Sequence, residues 1–142
     1  MGLLSWMFGT RPKPQAPRHV HLRGDGDFDF EIVGEGRYQE ALEHIAGGRT
    51  EEGAEHECTA MLVPEPSNPH APGAVRVDIA GRPVGYLARK HAAGYRRRLA
   101  HLGLARCTAE CGAMIVGGWS RGRHGSGYFG VKLDLVWPVV PD

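Results

Sequence analysis

Apolar positions recur with two different periods along this chain, and the points where one period gives way to the other mark its elements. Over residues 25–31 acidic and apolar residues alternate and then run into Ile32 and Val33, which predicts a first strand with Phe28 and Phe30 on one face. Gly34 and Gly36 break it. Tyr38, Leu42 and Ile45 then fall at helical spacing over residues 37–46, and Gly47-Gly48 ends that helix. After an acidic loop, residues 56–63 read as a second strand, residues 74–79 as a cleanly alternating third, and residues 84–87 as a short fourth beyond a tight turn. Residues 89–104 carry Ala92, Tyr95, Leu99 and Leu102 at three- and four-residue intervals, the apolar stripe of a second helix. Residues 106–116 form a fifth strand, residues 117–127 a glycine-rich hairpin loop, and residues 128–136 a closing strand.

The resulting order, β-α-β-β-β-α-β-β, predicts a mainly β chain with two helices (α+β) and a small curled or closed sheet of about six strands. Between the second and third strands lie Pro64, Pro66, Pro69, Pro72 and Gly73. Proline fixes φ and removes a backbone donor, so this spacing forbids helix and forces a stiff, exposed corner. Such a corner serves equally as a plain hairpin connection or as a loop that presents a side chain to a ligand.

The chain has 142 residues, enough for one domain with a real core, and a net charge of only +1. That average conceals an asymmetry. Residues 25–57 hold eleven acids against two arginines, net −9, whereas residues 79–132 hold ten cations against Glu110 alone, net +9. A basic section points to a polyanion partner, or to a solvated face paired with the acidic half. Residues 1–23 divide into a short apolar stretch and a proline-containing cationic stretch, read as a tail and flexible linker; the domain is expected over 24–138, with 139–142 as a C-terminal tail. The apolar stretch is too short to span a bilayer and lacks a secretory n-region, so no stable membrane insertion is expected; an interfacial anchor, a partner-binding tail and a disordered start all remain open. Three cysteines in no framework spacing point to a reducing, cytoplasmic compartment.

Catalytic signatures are missing. There is no nucleophile elbow, phosphate loop, dinucleotide fingerprint or paired-histidine metal helix, so neither enzyme activity nor a cofactor is expected. The acids near residue 25 suggest a calcium loop, but Phe30 stands where that loop needs glycine and Gly36 where it needs glutamate. Cys107 and Cys111, four apart on a strand, would hold their sulfurs roughly 13 Å from each other. The eight histidines are scattered, so no metal is expected.

One stretch carries more information than its periodicity. Val33-Gly34-x-x-Arg37-Tyr38 is followed by Leu62-Val63-Pro64-Glu65-Pro66-x-Asn68-Pro69, then by Ala74-Val75-x-Val77 and by Val84-Gly85-Tyr86-Leu87. Together with Gly117-Gly118 and residues 129–135, these resemble the HIRAN domain, a small DNA-binding module found at the front of certain SWI/SNF-type helicases and also alone in bacteria. The likeness covers most of the chain. It implies an OB-like β-barrel with added helices that holds the 3′-terminal nucleotides of single-stranded DNA, in DNA repair and the remodelling of stalled replication forks. It also implies roles for particular residues. Arg37 would reach a phosphate and Tyr38 stack on a base, as their chemistry also allows, although Tyr38 equally suits packing on the first helix beside Leu42. Asn68 belongs to the signature corner, and Arg89 and Lys90 follow the fourth strand as basic residues do in the family. Phe129 matches a pocket aromatic on the last strand, and a slip of one residue would put Tyr128 there instead.

Two departures qualify this resemblance. After Asn68-Pro69 the family has Tyr-Asp, whereas this chain has His70-Ala71. His70 keeps a flat ring, but Ala71 offers no carboxylate to a terminal hydroxyl, so selective 3′-hydroxyl recognition is not implied. Tyr86 stands where a helicase-borne member has histidine; it can still stack and donate. The expectation is therefore a non-catalytic module binding single-stranded DNA or a DNA end through Arg37, Tyr38, Asn68, His70, Tyr86, Arg89, Lys90 and Phe129. The alternative is a protein-interaction adaptor that keeps the fold without end recognition. A helicase or another repair protein is the expected protein partner, because no motor lies in this sequence.

Overall fold

Seven strands join in one sheet whose two ends curl towards each other. The structure, a computed structural model, describes residues 19–68 and 71–142. In chain order the elements are β1 (His19–His21), β2 (Phe30–Glu31), a 3-10 turn (Glu35–Arg37), α1 (Gln39–Ala46), β3 (Ala54–Glu65), β4 (Ala74–Ile79), β5 (Arg82–Tyr86), α2 (Arg89–His101), β6 (Thr108–Gly117), a second 3-10 turn (Gly122–His124) and β7 (Phe129–Asp134). The sheet runs β2-β7-β6-β3-β4-β5 with antiparallel neighbours. Its ends are tied where Val33, just past β2, exchanges backbone hydrogen bonds of 2.9 and 2.8 Å with Tyr86 at the end of β5. The expected mainly β, two-helix architecture is therefore present, as a small barrel-like sheet.

Strand alternation places the core inside that curl. Val75, Val77 and Ile79 of β4, Ala109, Cys111, Ala113 and Ile115 of β6, and Phe129, Val131 and Leu133 of β7 are all buried, and their neighbours face outward. Strand β3 is long enough to serve two walls: Ala54 to Leu62 pair with β6, and Ala60 to Glu65 pair with β4. Helix α2 lays Ala92, Tyr95 and Leu99 on the core, as its spacing predicts. His91 packs against Phe30 and Trp137, at ring-centroid distances of 4.8 and 5.3 Å.

The structure differs from the sequence reading at both ends. Residues 25–28 alternate without forming a strand, because the backbone amides of Asp25 and Gly26 both donate to Asp134 Oδ1 and wrap the chain around that carboxylate. Phe28 takes a positive φ of 49°, so the strand proper is reduced to Phe30–Glu31. Conversely, His19–His21 lies within the stretch read as linker, yet it pairs in parallel with Thr108–Glu110. The cause is apolar: Leu22 and Val139 are buried, Leu22 bridges to Pro141, and Arg98 Nε donates to the Val139 carbonyl. Residues 139–142 accordingly belong to the folded unit. The apolar tail and most of the linker reading lie outside the described residues. Among the described residues, no helix is long and apolar enough to cross a membrane.

Candidate functional site

The proline-rich corner is anchored by one carboxylate. At the end of β3, Glu65 Oε1 accepts from Asn68 Nδ2 at 3.1 Å and Glu65 Oε2 accepts from Arg76 Nη1 at 2.8 Å. Arg76 is fixed in turn by a two-pronged pair with Asp78, at 2.7 and 3.0 Å. Asn68 passes the constraint onward, because its Oδ1 accepts from the Ala71 amide at 3.1 Å. Gly73 completes the turn with φ of 88°, and a Cβ there would collide with the Arg96 guanidinium. Corner and helix α2 therefore touch at a position whose backbone conformation favours glycine.

The same carboxylate reaches the tyrosines. Tyr86, on β5, lies where both Glu65 and Tyr38 act on its phenol. A carboxylate only accepts, so the Tyr86 phenol is the group able to donate between it and Glu65. Burial, then the Glu65 carboxylate, then Tyr38 push the Tyr86 pKa up to about 12, so the phenol stays protonated. For Glu65, burial acts to raise the pKa, but the hydrogen bonds from Asn68, Arg76 and Tyr86 and the Arg76 charge hold it below its ordinary value. A depressed folded pKa contributes stability that is present above the unfolded carboxylate range and is lost as pH falls through the folded value. Glu65→Gln is therefore expected to flatten the acid limb of stability against pH measured by urea denaturation. An unchanged limb would mean the network does not stabilise the fold.

Tyr38 is positioned from the opposite side by side chains that imitate a strand. Gln39 Nε2 donates to the Phe129 carbonyl and Gln39 Oε1 accepts the Phe129 amide, while Glu35 Oε2 accepts the Val131 amide. Where β2 stops covering β7, these two residues take over its edge, and so fix the 3-10 turn that carries Arg37 into Tyr38.

Together these supports frame one open cleft of about 980 Å³. Its lining includes Arg37, Tyr38, Asn68, Ala71, Tyr86, Arg89 and Arg96. Arg37, Arg89 and Arg96 are exposed, and none forms an ion pair among the described residues. The lining has no carboxylate, imidazole, thiol or aliphatic hydroxyl among the described residues. Three guanidiniums beside two phenol rings suit a ligand that is both planar and anionic.

Five of the eight expected site residues thus come together: Arg37, Tyr38, Asn68, Tyr86 and Arg89. Lys90 is exposed but does not line the cleft. His70 lies outside the described residues. Phe129 is a correction: it is 2% exposed, its ring fills the space over Gly118, and Arg49 stacks on it at 5.0 Å. The alternation of β7 turns it into the core, and the same alternation leaves Tyr128 78% exposed. Sequence reasoning missed Arg96, whose face of the helix becomes meaningful only once α2 is docked beside the Gly73 turn. In comparisons with known proteins, no family model, curated protein or solved structure matched the chain.

Proposed function

We propose that this chain is a non-catalytic module of the HIRAN type, built on an OB-like barrel, that binds single-stranded DNA or a DNA end in the cleft lined by Tyr38 and Tyr86. The observation that carries the proposal is the convergence of those two rings with Arg37, Arg89 and Arg96, without an acidic residue in the described lining. Aromatic faces accept any base, and guanidiniums meet the backbone phosphates. That the described lining offers no carboxylate, imidazole, thiol or aliphatic hydroxyl favours binding over catalysis. Ala71 presents a methyl to the cleft where the family has a carboxylate, so a terminal 3′-hydroxyl gains no dedicated acceptor. The setting is cytoplasmic DNA repair or fork processing, with any helicase motor supplied by a partner.

Fluorescence anisotropy with short labelled oligonucleotides tests this reading. Three phosphate contacts on a single strand correspond to a salt slope of roughly −2, or about a twenty-fold loss of affinity between roughly 50 and 200 mM salt. Arg96→Ala should make that slope shallower by about 0.7. Oligonucleotides ending in 3′-hydroxyl and 3′-phosphate should bind about equally. Weak binding with no salt dependence would overturn the proposal.

A further inference from the structure

Strand β1 brings a second group of chemically active side chains together, remote in sequence from the cleft residues. His19 and His21 stand two residues apart on β1, so both imidazoles share one face while Val20 between them packs towards the core. The parallel register sets His21 opposite Glu110 of β6, and His19 lies on the diagonal. Glu110 also points outward, because its neighbours Ala109 and Cys111 are the buried positions of β6. His19 Nε2 and His21 Nε2 approach the same atom, Glu110 Oε2, at 2.5 and 3.8 Å. The two rings meet edge to face with centroids 5.5 Å apart.

We propose that His19, His21 and Glu110 form a binding site for a divalent transition-metal ion, zinc being the ion that fits best. One ligand atom from each residue lies within 4.8 Å of the other two. Zinc bonds of about 2.0–2.2 Å in a tetrahedron require roughly 3.3–3.6 Å between ligand atoms, a value inside the observed spread. His19 and His21 are exposed, which leaves their imidazoles room to rotate towards it. Two imidazoles and one carboxylate are borderline ligands that favour zinc over calcium or magnesium, which take oxygen shells. Residues 1–18 contain no histidine, cysteine, aspartate or glutamate, so they add no such ligand, and water completes the tetrahedron. The consequence is structural. Among the described residues β6 is the strand that pairs with β1, and a bound ion would rivet that three-residue strand to the barrel.

Isothermal titration of Zn²⁺ into the full chain, with Co²⁺ absorption as a probe of tetrahedral geometry, tests the site. One ion per chain is expected, with tetrahedral Co²⁺ bands. His21→Ala leaves the His19–Glu110 hydrogen bond in place and should weaken binding by at least the roughly ten-fold that loss of an outer-shell partner costs. Glu110→Gln should do the same, whereas His56→Ala, on β3, should change nothing. Because these are surface substitutions, circular dichroism should be unaltered; the imidazole NMR signals of His19 and His21 should also shift on adding Zn²⁺ to the unmodified chain. Absence of Zn²⁺ binding, binding unaffected by His21→Ala and Glu110→Gln, or unshifted His19 and His21 signals would overturn the proposal.

Discussion

Phe129→Ala is expected to cost about 3–5 kcal/mol of unfolding free energy, the usual penalty for deleting a buried aromatic ring. The ring is almost wholly inaccessible, lies against Gly118 and supports the Arg49 guanidinium, so its removal leaves a cavity lined by rigid β backbone. Gln39 would survive the change, since it bonds the Phe129 backbone rather than the side chain. The folded fraction should therefore still bind an oligonucleotide with its original affinity. Tyr128→Ala, at an exposed position, should shift stability by no more than about 0.5 kcal/mol. Urea denaturation read alongside anisotropy separates these outcomes. A Phe129→Ala protein that unfolds at the normal midpoint but no longer binds would return Phe129 to the ligand pocket.

Replacing either cleft tyrosine by alanine should have the opposite profile. Loss of one stacking ring is expected to weaken single-stranded DNA binding by about 1–3 kcal/mol, or roughly 5- to 150-fold. Tyr86→Ala should lie at the severe end, because it also removes the phenol beside Glu65 and Tyr38. Tyr86→Phe retains the stacking face and should fall between the unmodified chain and Tyr86→Ala. Anisotropy measured at one fixed salt concentration gives the ranking directly. If Tyr38→Ala leaves affinity intact and lowers stability instead, its ring serves helix α1 beside Leu42 rather than a base.

The contrast between Phe129 and Tyr86 also shows what this sequence makes legible. Alternation located β4 and β6 well, because each has one face buried and every second residue must be apolar. Helix α2 was equally readable, since its stripe of Ala92, Tyr95 and Leu99 packs on a single surface. Periodicity failed over residues 25–28, where the backbone answers to Asp134, a partner more than a hundred positions away in the sequence. It also failed at β1, a three-residue strand too short to display a period.

For the candidate site, the signature residues Arg37, Tyr38, Asn68, Tyr86 and Arg89 were legible, whereas residues that join through docking alone were not. The corner residues Glu65 and Asn68 are close in sequence and meet in space as their chemistry suggests, and Gly73 turns the chain behind them. Arg96 and the His19–His21–Glu110 group depend on which elements dock together, a property of topology that neither spacing nor composition reports. Phe129 faces the core because the alternation of β7 turns it inward, and its exposed neighbour Tyr128 does not line the cleft either.

The central claim is that a single-stranded oligonucleotide occupies the cleft between the proline-rich corner, β5 and α2. Titrating one into the isotopically labelled chain and following backbone amide NMR signals tests it most directly. Shifts should concentrate at Arg37, Tyr38, Asn68, Ala71, Gly73, Tyr86, Arg89 and Arg96, and should diminish as salt is raised. Shifts confined to Arg121 and Arg123 in the glycine-rich hairpin loop, or no shifts at oligonucleotide concentrations that saturate anisotropy, would contradict it.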